Sequence, residues 1–161
     1  MKQENPDSSD IAVVIHNIAV VYLEMGETDK AIESYEQTLF HEYKALNKER
    51  TDVAETLRSL AKLHELDGDL DLALKRYEEA VEYCEKNPKD KTSIQVATLY
   101  SYIGNIHIEK GNVDKAMEAY AAALRLNHIV DGDDFQCSAI ITYGLALVDV
   151  LREHGEAAAA A

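Results

Sequence analysis

The chain has 161 residues and a mass of 17.9 kDa, with 47% hydrophobic and 7% aromatic residues, no Trp, two Pro and seven Gly. That is one domain's length, and a composition so rich in Ala, Leu, Glu and Lys favours helices over a β-sandwich or barrel. With 16 Lys and Arg against 30 Asp and Glu, the formal charge is −14, a field that repels phosphate backbones and anionic lipid and argues against nucleic acid and membrane surfaces as partners.

Residues 1–9 form a polar tail without the apolar centre of a signal peptide. No run in the chain approaches the roughly 18 apolar residues that span a bilayer. Cys84 and Cys137 stand far apart with no paired spacing. They are expected to be ordinary thiols of the cytoplasm or another reducing compartment.

From residue 10 onward one pattern occurs three times, at offsets of 42 and 43 residues. Aligned positions hold Ala12, Ala54 and Ala97, then Ile18, Leu60 and Ile103, then the small residues Ala19, Ala61 and Gly104. Gly26, Gly68 and Gly111 follow, and after them Asp29, Asp71 and Asp114, then Ala31, Ala73 and Ala116, then Tyr35, Tyr77 and Tyr120. The copies occupy 10–50, 51–92 and 93–130.

Within the first copy, Ile11, Ile15, Ile18 and Tyr22 recur at helical spacing up to the glycine, and Ala31, Tyr35 and Leu39 resume it afterwards. Each unit therefore reads as helix, short turn, helix. The glycines suit a left-handed helix end, and the aspartates after them are expected to be N-caps of the second helices. The small residues at 19, 61 and 104 allow the paired helices to approach closely. A lone hairpin cannot bury its apolar face, so stacked copies share a core.

After the third copy comes a polar break at 130–134, then a further helical pattern at 135–154. Segment 131–155 reads as a capping helix or a partial fourth repeat. Its register stays open: Gly155 at the turn puts Leu147, Val148 and Leu151 inward, whereas Gly144 as the close-packing residue selects Ile140, Tyr143 and Leu147. An Ala-rich tail at 156–161 completes the chain.

The matched residues resemble the tetratricopeptide repeat, a two-helix unit with a small residue in its first helix, Gly at its turn, and Ala then an aromatic in its second helix. The resemblance covers 11–126. The period exceeds the family's usual length by about two helical turns, with the extra residues at 40–47 and 82–86. In this respect the repeats are similar to those of kinesin light chains and related eukaryotic adaptors. Asp10-Ile11-Ala12 and Asp52-Val53-Ala54 match the start of such repeats, and Gln95-Val96-Ala97 is a looser copy.

The resemblance implies an all-α fold, a right-handed α-α superhelix of three helix-turn-helix repeats plus the terminal helix. It also implies a non-catalytic scaffold or adaptor that binds another protein or peptide in a concave groove lined by the first helices. Carried over by register, the groove set is His16, Asn17 and Val20, then Arg58, Ser59 and Lys62, then Ser101, Tyr102 and Asn105, flanked by Val13, Glu24, Glu55, Leu66, Thr98 and Glu109. Amides at 17 and 105 offer donor and acceptor to an extended backbone. Arg58 and Lys62, one turn apart, suit a carboxylate, and Tyr102 offers an apolar anchor. Members that bind chaperone C-terminal carboxylates use a set pattern of Lys and Asn, whose first pair is replaced here by His16 and Val20. The alternative is a structural subunit of a larger complex or longer array, docked through its lateral faces or the acidic outer helices bearing Glu33, Glu36, Glu78, Glu79, Glu82 and Glu118.

No catalytic constellation, cofactor motif or metal site competes with this reading. The run Asp67-Gly68-Asp69-Leu70-Asp71 with Glu78 mimics a calcium loop, but Leu72 stands where the sharp turn needs Gly. His64 and His107 share a repeat position with Tyr22, which marks them as aromatic core packing, since no third ligand accompanies them. A phosphate-binding glycine loop and a nucleophile elbow are both missing from the sequence.

Overall fold

The structure, a computed structural model, describes residues 8–45, 52–87 and 93–131, together with Asp149 and Gly155. Among them run six helices and no strand: α1 (Ser8–Glu24), α2 (Thr28–Lys44), α3 (Val53–Asp67), α4 (Leu70–Lys86), α5 (Ser93–Glu109) and α6 (Val113–Asp131). The chain divides into two compact units, Met1–Tyr83 and Cys84–Ala161.

Each hairpin turns the same way. Gly26, Gly68 and Gly111 have φ of 75°, 85° and 71°, in the left-handed region where a side chain is strained. The amide of each glycine donates to the carbonyl three residues back, on Leu23, Glu65 and Ile108. The next amide, of Glu27, Asp69 and Asn112, donates to the carbonyls of Tyr22, His64 and His107 at 2.9, 2.9 and 2.8 Å. This paired closure satisfies carbonyls that a helix end otherwise strands. It uses the backbone carbonyl of the repeat position held by Tyr22, His64 and His107.

The expected N-caps are corrected. Asp29, Asp71 and Asp114 lie inside the first turns of α2, α4 and α6. In the second repeat the capping side chain is Asp69, whose Oδ1 accepts the Leu72 amide at 3.0 Å. The paired glycine closure consumes only one residue after the glycine, so each second helix starts two residues sooner than an Asp cap at 29, 71 or 114 allows. Those aspartates instead oppose the positive helix N-terminus.

In the first unit α1 packs on α2, and α2 on α3. Small buried residues make this close packing: Ala12 and Ala19 on α1, Ala31 on α2, and Ala54 and Ala61 on α3. Tyr35, Leu57, Leu60 and Tyr77 fill the larger spaces. One stripe of α2 is polar and buried. Ser34 Oγ donates to the Lys30 carbonyl, Thr38 Oγ1 donates to the Ser34 carbonyl, and Glu42 Oε1 accepts the Asp52 amide at 3.2 Å, which ties α2 to the start of α3.

In the second unit α5 packs on α6, with Ala97, Ile103, Ile106, Ala116, Tyr120 and Ala123 buried. The second helices run to Lys44 and Lys86, as the long period requires. Helix α6 continues through Val130 to Asp131, past the start of the break expected at 130–134, the rest of which lies outside the described residues. Residues 46–51 and 132–148, the remainder of 150–161 apart from Gly155, and Cys137 lie outside the described residues. Ile18, expected in the core stripe, is exposed, whereas its counterparts Leu60 and Ile103 are buried.

Candidate interaction surface

In the first unit, Tyr35 of α2 joins the two groups of expected groove residues. Its ring meets the His16 ring edge-on at 5.3 Å, at an interplanar angle of 78°. The Ser59 side chain stands near its hydroxyl. Burial is the main cause that pushes the Tyr35 pKa up, with Glu55 adding to it, against the lowering effects of Ser59 and of Arg58. His16 and Ser59 are thus brought beside one buried tyrosine, in α1 and α3 respectively.

The two cations are already paired. Arg58 Nε donates to Glu55 Oε2 at 2.9 Å, and its Nη2 bonds Oε1 of the same carboxylate. Lys62 Nζ donates to Glu65 Oε1 at 2.7 Å, while Glu65 Oε2 accepts the Tyr77 hydroxyl at 3.0 Å. Such partly exposed pairs contribute less than about 1 kcal/mol, so an incoming carboxylate can compete for either cation.

Asn17 and Val20 are exposed on α1. Asn17 shares a shallow depression with Val14, Ile18, Val21 and Tyr22. This places it on an apolar flank of the helix.

In the second unit, Asn105 is exposed and its Oδ1 accepts the Tyr120 hydroxyl at 2.6 Å. Tyr102 is half-buried. Ser101 is buried, and its Oγ donates to the Ala97 and Thr98 carbonyls of its own helix. Its hydroxyl is satisfied within α5, so Ser101 is withdrawn from the binding set.

The calcium-like run is a helix junction. Gly68 takes the left-handed position and Asp69 caps α4, leaving its carboxylate turned to a backbone amide. His64 and His107 are buried core residues of their respective units. Among the described residues, no group of three His, Cys, Asp or Glu side chains is placed to hold a metal, and no helix is long and apolar enough to cross a membrane.

One apolar surface extends beyond the expected Val13 and Val20. Val13, Val14, Ile18, Val20 and Val21 are all exposed on α1, as is Met25 just after it. The sequence carries a signal for it, because no Asp, Glu, Lys or Arg occurs between Asp10 and Glu24. A surface helix normally has a charged face.

Comparison with known proteins agrees with the fold. The chain is similar in structure to BtubC (BKLC) from P. vanneervenii, with a TM-score of 0.80 and 22% identity over 96% of this chain and 60% of that one. It is similar to the nearly identical TPR-like repeats of a putative kinesin light chain of Podosopora anserina, with a TM-score of 0.71 and 17% identity, covering 97% and 71% of the two chains. For the TPR2AB domain of yeast Sti1, in complex with pHSP90, the TM-score is 0.68 at 19% identity, covering 92% and 49%. The chain thus spans 60% of the BtubC chain and about half of the Sti1 chain. No curated protein sequence matches it significantly. Sequence profiles of the tetratricopeptide repeat match residues 10–86 and 97–128, which together make up more than half of the chain. With its three glycine-closed helix hairpins in the same register, the chain belongs to the tetratricopeptide repeat family.

Proposed function

We propose that this chain is a non-catalytic protein-interaction module that holds an extended peptide or partner segment along its first helices. The single observation that supports this most is the Tyr35 junction, which holds the His16 and Ser59 positions of successive first helices against one buried ring. A rigid second-helix residue below two first helices keeps their outward side chains at set spacing, and preorganisation lowers the entropic cost of binding a peptide. Arg58 and Lys62 supply exchangeable charge. The yeast Sti1 neighbour, solved with pHSP90, is consistent with peptide capture on this fold. Here the partner is a protein or peptide, without nucleic acid, cofactor or membrane insertion.

The test is affinity capture with mass spectrometry, comparing the wild-type chain with an Arg58→Glu, Lys62→Glu variant of unchanged helicity. Loss of a specific partner in the variant supports groove binding. Retention of every partner points to the second reading, a structural subunit docked through another face, which the exposed apolar flank of α1 favours.

A further inference from the structure

One outer position of the first repeat departs from its two counterparts. Phe40, Glu82 and Arg125 are aligned at offsets of 42 and 43 residues, and all three are exposed. Exposure on α2, α4 and α6 alike follows from the repeat register. A charged residue is the ordinary occupant of such a place, whereas the first repeat presents a phenylalanine that is 56% exposed.

The surroundings of Phe40 differ as well. It shares a depression of about 610 Å³ with Ile32, Asp29, Glu33 and Glu36 of the same helix. Helical spacing puts these residues on one stripe, with three carboxylates on the N-terminal side of the ring. Glu36 accepts a hydrogen bond from Arg76 Nη2 at 2.6 Å, whereas Asp29 and Glu33 hold no cation among the described residues. On α4 the place of Glu33 is taken by Lys75, which pairs with Glu79 at 4.0 Å. The outer face of α4 thus neutralises part of its own charge, and that of α2 leaves two carboxylates open near an exposed ring. On the C-terminal side the sign reverses, because Lys44 Nζ stands 4.2 Å from the centre of the Phe40 ring.

We infer that this outer face of α2 is a second docking site, which takes a basic peptide segment with one large apolar residue on Phe40 and its cations towards Glu36, Glu33 and Asp29.

Charge selects that occupant. Nucleic acid, an anionic membrane and a second copy of this acidic chain would each bring negative charge to a face that is already negative. A cation alone would be held only by screened surface attraction, so Phe40 and Ile32 supply the apolar contact that fixes the register. Glu36, Glu33 and Asp29 lie about 6, 10 and 16 Å from Phe40 at 1.5 Å per residue. An extended chain advances about 3.3 Å per residue, so cations two, three and five residues from the apolar one reach the three carboxylates. Lys44 repels a cation beyond the ring, which keeps the cations of the segment on one side of its apolar residue. The site shares no residue with the Arg58 and Lys62 groove and stands independently of peptide capture there.

The test uses the synthetic peptide Arg-Ala-Arg-Arg-Ala-Trp-Ser, blocked at both ends. The protein has no Trp, so the indole fluorescence belongs to the peptide. Titration with the full chain is expected to give saturable binding that weakens about threefold or more from low to physiological salt. Phe40→Glu puts the second repeat's residue at the position and adds negative charge. Loose attraction to an acidic surface would then strengthen, whereas docking on the ring should weaken at least about fivefold. Glu33→Lys should also weaken binding, with helicity unchanged, and an Arg58→Glu, Lys62→Glu variant should bind the peptide no more weakly than the wild type. Should Phe40→Glu lose helicity, Phe40→Gln takes its place. No binding to the wild-type chain up to about 1 mM peptide overturns the proposal. So does binding that the Phe40 variant leaves unchanged or strengthens, which would be attraction without a site. Binding lost in the Arg58 and Lys62 variant would overturn it too, by putting the peptide on the first helices.

Discussion

The Tyr120 ring lies so close to Gly104 that a Cβ built on the glycine would stand 2.7 Å from Cε1. The same side chain donates its hydroxyl to Asn105 Oδ1 at 2.6 Å. The third repeat therefore needs its glycine for space, whereas Ala19 and Ala61 accommodate a methyl at the same position.

Gly104→Ala is accordingly expected to destabilise the protein by about 1–3 kcal/mol, the usual cost of overpacking, read by urea denaturation. Adding Tyr120→Leu should recover part of the loss, giving a coupling energy in the double-mutant cycle. Gly111→Ala is expected to cost about 1 kcal/mol by a different route, since nothing lies within 4 Å of its Cβ and only the positive φ is strained. Equal costs with no coupling to Tyr120 would contradict the close approach.

Burial raises the Tyr120 pKa above its ordinary value of 10.0. A raised folded-state value means that its stability contribution is whole below about pH 10 and is lost as pH rises through the folded pKa, because the unfolded chain ionises first. The melting temperature of the wild type should fall from about pH 9.5 upwards more steeply than that of Tyr120→Phe. Parallel curves would show that Tyr120 ionises as it does in the unfolded chain.

Two aspartates near the second turn should differ in weight. Asp69→Ala removes the side chain that accepts the Leu72 amide and is expected to cost about 1 kcal/mol. Asp71→Ala removes a favourable charge at the helix N-terminus and is expected to cost about 0.5 kcal/mol, an effect that should shrink in high salt. Thermal melts of both variants at low and high salt make the comparison. A larger loss for Asp71→Ala would return the cap to residue 71.

The ion pairs on α3 give a prediction for binding. Glu55→Gln frees Arg58 from a carboxylate that now holds it through both Nε and Nη2. Affinity for an acidic peptide partner should rise about threefold to tenfold, more at low salt than at high, with stability changed by less than about 1 kcal/mol. Isothermal titration calorimetry at two salt concentrations would decide it, and an unchanged affinity would mean that Arg58 does not meet the ligand.

Much of the fold was legible because its causes are local. The glycine at each turn, the small residue before it and the Ala and Tyr after it recur in register, and backbone sterics with helical periodicity then dictate the hairpins. The start of the second helices was misread at Asp29, Asp71 and Asp114. A good capping residue in the sequence says nothing of how many residues the preceding helix end consumes, and here the paired glycine closure takes only one.

The binding set was legible only as a register. Position alone makes 101 equivalent to 16 and 58, but it cannot tell that the Ser101 hydroxyl turns back to Ala97 and Thr98, since a short hydroxyl inside a helix can bond its own carbonyls or point outward. Nor could it tell that Arg58 and Lys62 are already paired, which depends on rotamers.

The sequence by itself determined the all-helical class, the three repeats and the family, because these follow from spacing and from glycines that no other residue replaces without strain. Only the tertiary structure decided which apolar positions are covered. Ile18, Leu60 and Ile103 are interchangeable in a one-dimensional pattern, yet two are buried and one is exposed. Burial depends on whether a neighbouring helix lies against the face, and that is a property of the packed repeats.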